Sequence, residues 1–352
     1  MQDQQLNFLK TLLETGSPSG YEAEIQKKIQ AHVETFADQI DRDWHGNLAA
    51  TVNPSGTPRI MLAGHCDQIG LLVKYIEADG FLRTMTIGGW DLQMLLGQKV
   101  QVWTANGPIP GVIARKAIHL LSKDERGKIP EIQDLWIDIG AKDKADAESR
   151  IEIGEPVTLN LGYQELLNGL ACAPGMDDKV GVWVIMSALE RVKAGSPQAA
   201  VIGVSTVQEE IGLRGATTAS YSADAKLGIA VDVTHATDTP DVSQSQHGDI
   251  KIGGGPVIVR GPNSNSRVFE RLTSIAKAAD IPYQVNALPK AASNDAAALQ
   301  LSRGGQATAV VAIPNRYMHS PVEVISLQDL EHAAELIAQF CLSLTPDCDF
   351  TP

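Results

Sequence analysis

The chain has 352 residues, 43% of them hydrophobic and 20% charged, which is more than one hydrophobic core usually serves, so two domains are expected. Its formal charge of −13 disfavours a nucleic-acid backbone or an anionic membrane surface as partner. The four cysteines, Cys66, Cys172, Cys341 and Cys348, show no C-x-x-C spacing, which argues against a zinc ribbon or thioredoxin-like motif and suits a reducing cytoplasm. No apolar run reaches the roughly 18 residues of a membrane span. The opening "MQDQQLNFLKTLLETG" lacks the basic and apolar regions of a signal peptide and is expected to be part of the fold.

In chain order, Leu6, Leu9, Leu12 and Leu13 recur at helical spacing up to Gly16, and "GYEAEIQKKIQAHVETFA" predicts a second amphipathic helix. "RIMLAGHCDQIGLLV" is an apolar strand running into a polar cluster. Between residues 72 and 164 the texture changes to short β-type runs ("KVQVW", "LWIDIGA", "EPVTLNL") punctuated by Gly and Pro, which predicts a small β-rich insert. The expected partition is a discontinuous unit, 1–71 with 165–352, interrupted by an inserted unit, 72–164. After the insert come a helix ("DDKVGVWVIMSALERVK"), strands ("AAVIGVSTV", "KLGIAVDV"), a helix ("RVFERLTSIAKAAD"), a strand ("ATAVVAI") and a final helix ("LQDLEHAAELIAQFCLSL"). Buried strands alternating with helices predict an α/β fold, a mostly parallel twisted sheet covered on both faces.

Ligands of open α/β sheets bind at the carboxyl ends of the strands, and here those ends are rich in metal-ligating side chains. The segments "GHCD", "VQEE", "AVDVT", "HSP" and "PGMDDK" offer His65, Asp67, Asp177, Asp178, Glu209, Glu210, Asp232 and His319. Singly, each has an ordinary reading. A histidine at a strand end is solvated, "DD" before a helix is an N-cap, and "EE" is the exit of a strand into water. Asp232 between apolar residues is harder to dismiss, because a buried unpaired carboxylate is costly. Their coincidence at one edge of one sheet favours a metal site. Two histidines with several carboxylates suit two divalent ions per subunit, Zn²⁺ first, with Co²⁺ or Mn²⁺ as alternatives. His65 and Asp67, two residues apart, share a face of an extended chain, so Asp67 can orient the imidazole while Cys66 points into the core.

Together, "AGHCDQIGLLV", "APGMDDKVGVWV", "VQEEIGLRGA", "VDVT…DTPD" and "PNRYMHSPVEVISLQDL" resemble the signatures of the TET-type metallo-aminopeptidases, a family of glutamyl, leucyl and lysyl aminopeptidases, some labelled endoglucanases. The motifs run in order from about residue 63 to 330. The resemblance implies that His65 and Asp232 bind one ion, Glu210 and His319 the other, and that Asp177 bridges them, although one sequence does not separate Asp177 from Asp178. It implies Glu209 as general base, Asp67 as the residue orienting His65, and a cis peptide between Asp177 and Asp178. It also implies short peptide substrates, a dimer formed through the β-rich insert, and assembly up to a tetrahedral dodecamer.

Within the strand, side-chain alternation is expected to turn Glu209 and Glu210 to different roles. Rival readings are a related two-metal deacylase or carboxypeptidase, a glycosidase using the glutamate pair, and a non-catalytic assembly protein on the same fold. Of the other histidines, His235 is a candidate for the pocket, His119 for structure or a neighbouring subunit, and His32, His45, His247 and His332 for solvated positions. Substrate-binding residues do not identify themselves; Arg260, Lys290, Arg303 and Arg316 are the cations near the expected pocket.

Overall fold

The computed structural model describes residues 1–352. Continuous apolar runs suit strands buried on both faces, and four of them form the centre of an eight-stranded sheet. Ala200–Thr206, Arg59–His65, Leu227–His235 and Ala307–Asn315 lie parallel, in that spatial order. The sheet is extended antiparallel by Leu48–Val52 and Gln39–Arg42 beside Ala200–Thr206. On the other side Val257–Arg260 runs antiparallel to Ala307–Asn315, and Gln284–Ala287 pairs parallel with it. These edge strands are short and escape a reading by hydrophobic runs. Register brings the strand ends to one edge. Thr206 lies opposite His65 and Ala63 opposite Ala230; continuing that register two residues brings His65 and Asp232 level.

The helix Met176–Gly195 is buried on every side as far as Leu189, with Val180, Val182, Trp183, Ile185 and Leu189 fully shielded. Such all-round apolarity marks a helix inside the core. It lies between the sheet and the helices Asp3–Glu14 and Leu327–Leu342. Its approach to Arg59–His65 is backbone on backbone: a Cβ at Gly64 would lie 2.8 Å from the Gly181 carbonyl carbon. That closeness lets the start of the helix reach His65. Arg214–Ala223 and Asp295–Gln300 pack on the opposite face. The fold is therefore α/β with helices on both faces.

Residues between Gly70 and Leu159 build a closed six-stranded barrel, its members in spatial order Gly70–Ile76, Leu82–Ile87, Trp136–Asp138, Gly107–Ala114, Lys99–Thr104 and Pro156–Leu159. Val73, Leu82, Val100, Val102, Ile113 and Ile137 fill its own core. Closure removes the free strand edges that short strands would otherwise expose.

His32 departs from its expected solvated position. Its ring stacks on Phe8 at 3.7 Å between centroids, and Nε2 is buried without a partner. Burial lowers its pKa from 6.5 to about 4. The folded chain thus holds His32 neutral while the unfolded chain protonates it below about 6.5. The associated stability is present above that pH and lost as pH falls from about 6.5 toward 4. His32→Phe should therefore lose less melting temperature than the parent between pH 7.5 and pH 5, a difference of about 1–2 kcal/mol. Equal losses in thermal unfolding at the two pH values would contradict this assignment.

Candidate metal centre

The sheet edge brings the sequence candidates together in two triads whose ligand atoms lie within 4.8 Å of one another: His65, Glu209 and Asp232, and Asp177, Glu210 and His319. Asp177 stands between them. Its Oδ1 is 3.1 Å from His65 Nε2 and its Oδ2 3.3 Å from His319 Nε2. Glu209 Oε2 is 3.8 Å from His65 Nε2 and Glu210 Oε2 is 3.5 Å from His319 Nε2. The peptide between Asp177 and Asp178 is cis. Asp178 is fully buried, and its carboxylate accepts the amides of His65 (3.2 Å) and Gly181 (3.1 Å). Its two oxygens are thus engaged in holding the strand to the helix, whereas those of Asp177 face the two imidazoles.

Asp67 is tied in more ways than its spacing foretells. His65 Nδ1 lies 3.1 Å from the Asp67 backbone oxygen and 3.5 Å from Oδ1. The carboxylate accepts the amides of Glu209 (3.0 Å) and Glu210 (3.2 Å) and the Ser19 hydroxyl (2.6 Å). Burial opposes its ionisation, but these contacts, His65 foremost, outweigh burial and hold the carboxyl below its usual range. One side chain therefore fixes the histidine and both glutamates.

The alternation expected for "VQEE" is not the geometry found. The strand ends at Thr206, and Gln208 takes the left-handed conformation with φ 55°. Both glutamates therefore lie beyond the strand, at the start of a turn in which Gly212 donates its amide to the Glu209 carbonyl at 2.9 Å, and not on a pleat. That turn is held by buried Glu22, which accepts the Gln208 amide at 3.1 Å. Glu323 is a further organising residue that the sequence reading passed over. It is buried, accepting the Asp177 amide (3.2 Å) on one oxygen and the His319 amide (2.9 Å) on the other. It thereby steadies His319 at φ 60°. Burial and then Asp177 push Glu323 up to about 8. The signal was present in "VEVIS": a carboxylate enclosed by apolar residues, the argument already applied to Asp232.

Asp177, Glu209, Glu210 and Asp232 form a carboxylate group that protein contacts alone do not balance. Burial raises Asp232 and lifts Glu209 to about 10 and Glu210 to about 7, with neighbouring carboxylates adding to each. Contact with Asp177 raises His319 to about 9. Glu210 Oε1 is buried with no partner. Two histidines, four carboxylates and an orphaned oxygen are a donor set that fits divalent cations.

The centre lines one end of a cavity of about 1240 Å³. His235 and His247 both line it, and His247 is exposed, the surface position expected. His45 and His332 are half-buried, His45 with an unpartnered Nε2 and His332 3.0 Å from the Gln328 amide nitrogen. His119 is exposed on the insert. The insert comes close to the centre: a Cβ at Gly89 would lie 3.3 Å from His319 Nδ1.

Comparison with known proteins agrees with this architecture. Lysyl aminopeptidase of Pyrococcus furiosus is 35% identical over 98% of this chain and 99% of its own. A TET aminopeptidase from a marine sediment Thaumarchaeota archaeon superposes with a TM-score of 0.92 at 35% identity, covering 97% of both chains. The Pyrococcus horikoshii TET1 peptidase, which can assemble into a tetrahedron or a large octahedral shell, gives 0.87 at 30% identity, covering 97% of this chain and 100% of that one. The profile of the M42 glutamyl aminopeptidase family matches residues 46–336. With the motifs in order along the whole fold, the chain belongs to the M42 family of aminopeptidases, hydrolases acting on peptide bonds.

Proposed function

We propose that the chain removes N-terminal residues from short peptides using two divalent ions at this centre, Zn²⁺ first, with Co²⁺ or Mn²⁺ as alternatives. The supporting observation is the aim of Asp177, one oxygen toward His65 and the other toward His319, as a carboxylate shared by two cations requires. His65, Asp177 and Asp232 would hold one ion and Asp177, Glu210 and His319 the other, so both sets are complete without Glu209. When bound, such a pair supplies Lewis acidity that polarises the scissile carbonyl and acidifies water.

Glu209 is the general base. It takes the proton of the attacking water and passes it to the leaving amine as the C–N bond breaks. Asp67 keeps both glutamates and the His65 ring in one arrangement through the contacts described above. Glu323 does the same for Asp177 and His319 from the other side.

The proposed organisation is a catalytic unit, 1–71 with 165–352, and an inserted unit, 72–164, through which copies dimerise and from which larger shells are built. Exposed Ile118, Leu120 and Ile129 on the insert support an apolar contact there. No helix is long and apolar enough to cross a membrane, and all four cysteines are free thiols, which supports a reducing compartment.

A panel of aminoacyl-p-nitroanilides and N-acyl amino acids tests the substrate class. Turnover is expected on the first group alone. Turnover confined to N-acyl amino acids would make the chain a deacylase on the same core.

A further inference from the structure

The first part of the chain brings a buried carboxylate without a countercharge to the turn that carries Glu209 and Glu210. Residues 17 to 22 connect the helix Asp3–Glu14 to a second helix, Ala23–Val33. Their backbone lies along Gln68: the Ser17 carbonyl accepts the Gln68 amide at 2.9 Å, and the Gln68 carbonyl accepts the Ser19 amide at 3.3 Å. Ser17 Oγ donates to the Cys66 carbonyl at 2.7 Å and Ser19 Oγ to Asp67 Oδ2 at 2.6 Å. The segment is thereby fixed to the residues that follow strand Arg59–His65.

Glu22 occupies the N-cap position of the second helix, where a carboxylate ordinarily accepts the helix's own first amides. Here its side chain makes no such cap. Its Oε1 accepts the Gly20 amide at 2.7 Å and the Gln208 amide at 3.1 Å instead. The residue is 6% exposed, and burial pushes its carboxyl up to about 7. A buried carboxylate with no cation beside it is costly, and this one is spent on the turn. Gln208, Glu209 and Glu210 present three successive amides to two carboxylates, the first to Glu22 and the next two to the two oxygens of Asp67. Successive amides around a left-handed residue form a concave anion site, and Gln208 at φ 55° is that residue. Glu22 thus supports a conformation that a residue with a side chain disfavours.

Resting on the reading of Glu209 as general base, we propose that Glu22 is a positioning residue for that base. It fixes the peptide before Glu209, and so the direction in which the Glu209 carboxylate meets the attacking water. Asp67 holds the Glu209 amide and Glu22 holds the Gln208 amide, so the two carboxylates together set the rotation of the turn. Glu22 makes no hydrogen bond to any of the five proposed metal ligands, and its loss leaves the ions in place.

The test uses the full chain loaded with Zn²⁺ and an aminoacyl-p-nitroanilide that the parent hydrolyses. Glu22→Ala should lower kcat about 10- to 100-fold, with KM within about threefold of the parent and two ions per chain by mass spectrometry. Glu22→Gln keeps an oxygen acceptor for the Gln208 amide and should restore kcat to within about threefold of the parent. Because Glu22 acts through Glu209, adding Glu22→Ala to Glu209→Gln should leave the residual rate within about twofold. Gln26→Ala is the structural comparison. It frees the Gly46 and Ser205 carbonyls (3.1 and 3.0 Å) from the same helix without touching the turn, and should lower the melting temperature while keeping kcat within about twofold.

Near-parental kcat in Glu22→Ala overturns the proposal. So does a further loss in the Glu209→Gln background as large as that in the parent, or an equal loss of kcat in Gln26→Ala. If Glu22→Ala fails to fold, Glu22→Asp, whose shorter side chain withdraws the acceptor, takes its place in each comparison. A Glu209→Gln variant with near-parental kcat overturns the base reading instead, a result independent of the Glu22 variants.

Discussion

Glu209→Gln should lower kcat by about 10²- to 10⁴-fold and leave two metal ions per chain. The change removes one ionisable oxygen and almost no volume. The backbone at Glu209 is anchored independently, its amide donated to Asp67 at 3.0 Å, so the turn and the neighbouring Glu210 stay in place. A glutamine neither accepts the proton of water nor returns it to the amine. The contrast with ligation is measurable because Glu209 Oε2 also lies 3.8 Å from His65 Nε2. Were Glu209 a ligand, the variant would lose an ion by mass spectrometry along with its activity. Retained metal with lost kcat identifies a base; near-parental kcat would place the base elsewhere.

Metal removal should abolish turnover and also lower the melting temperature. The protein would then hold Asp177, Glu209, Glu210 and Asp232 together with no cation but protonated His65 and His319. Burial and mutual repulsion raise Glu209 to about 10 and Glu210 to about 7, so the metal-free centre takes up protons. Cations compete with those protons, and metal affinity is expected to rise with pH from 6 to 8 as Glu210 deprotonates. An ion present at a thousand times its dissociation constant stabilises the fold by about 4 kcal/mol. Chelation should therefore shift unfolding downward, and further at pH 8 than at pH 6 for the same metal concentration. An unfolding curve indifferent to chelation would mean that the carboxylates are balanced by something other than metal.

The parts of this centre that were readable in the sequence share a physical cause. Strands buried on both faces are written as apolar runs, and their carboxyl ends mark the ligand edge, so His65, Asp232 and the glutamate pair could be placed before any coordinates. Asp177 and His319 stood among the same candidates, and the family resemblance then assigned their roles. What was not readable depends on contacts across long sequence separations. Glu323 accepts an amide from Asp177, 146 residues away, and Asp178 ties the strand to the helix across 113 residues.

Strand alternation at "VQEE" is broken by one residue. Gln208 adopts a positive φ, which strand periodicity does not anticipate, and the two glutamates lie beyond the strand at the start of a turn. His32 departs from its expected position for a related reason, since the ring that covers it, Phe8, belongs to another helix.

Turnover is expected to depend on two ions held by His65, Asp177, Glu210, Asp232 and His319. The most direct measurement is aminopeptidase activity of the chelated, metal-free chain during titration with Zn²⁺, with Co²⁺ and Mn²⁺ in parallel. No turnover is expected without metal, and recovery should saturate at two ions per chain. Activity that persists in a chain shown to be metal-free would contradict that dependence.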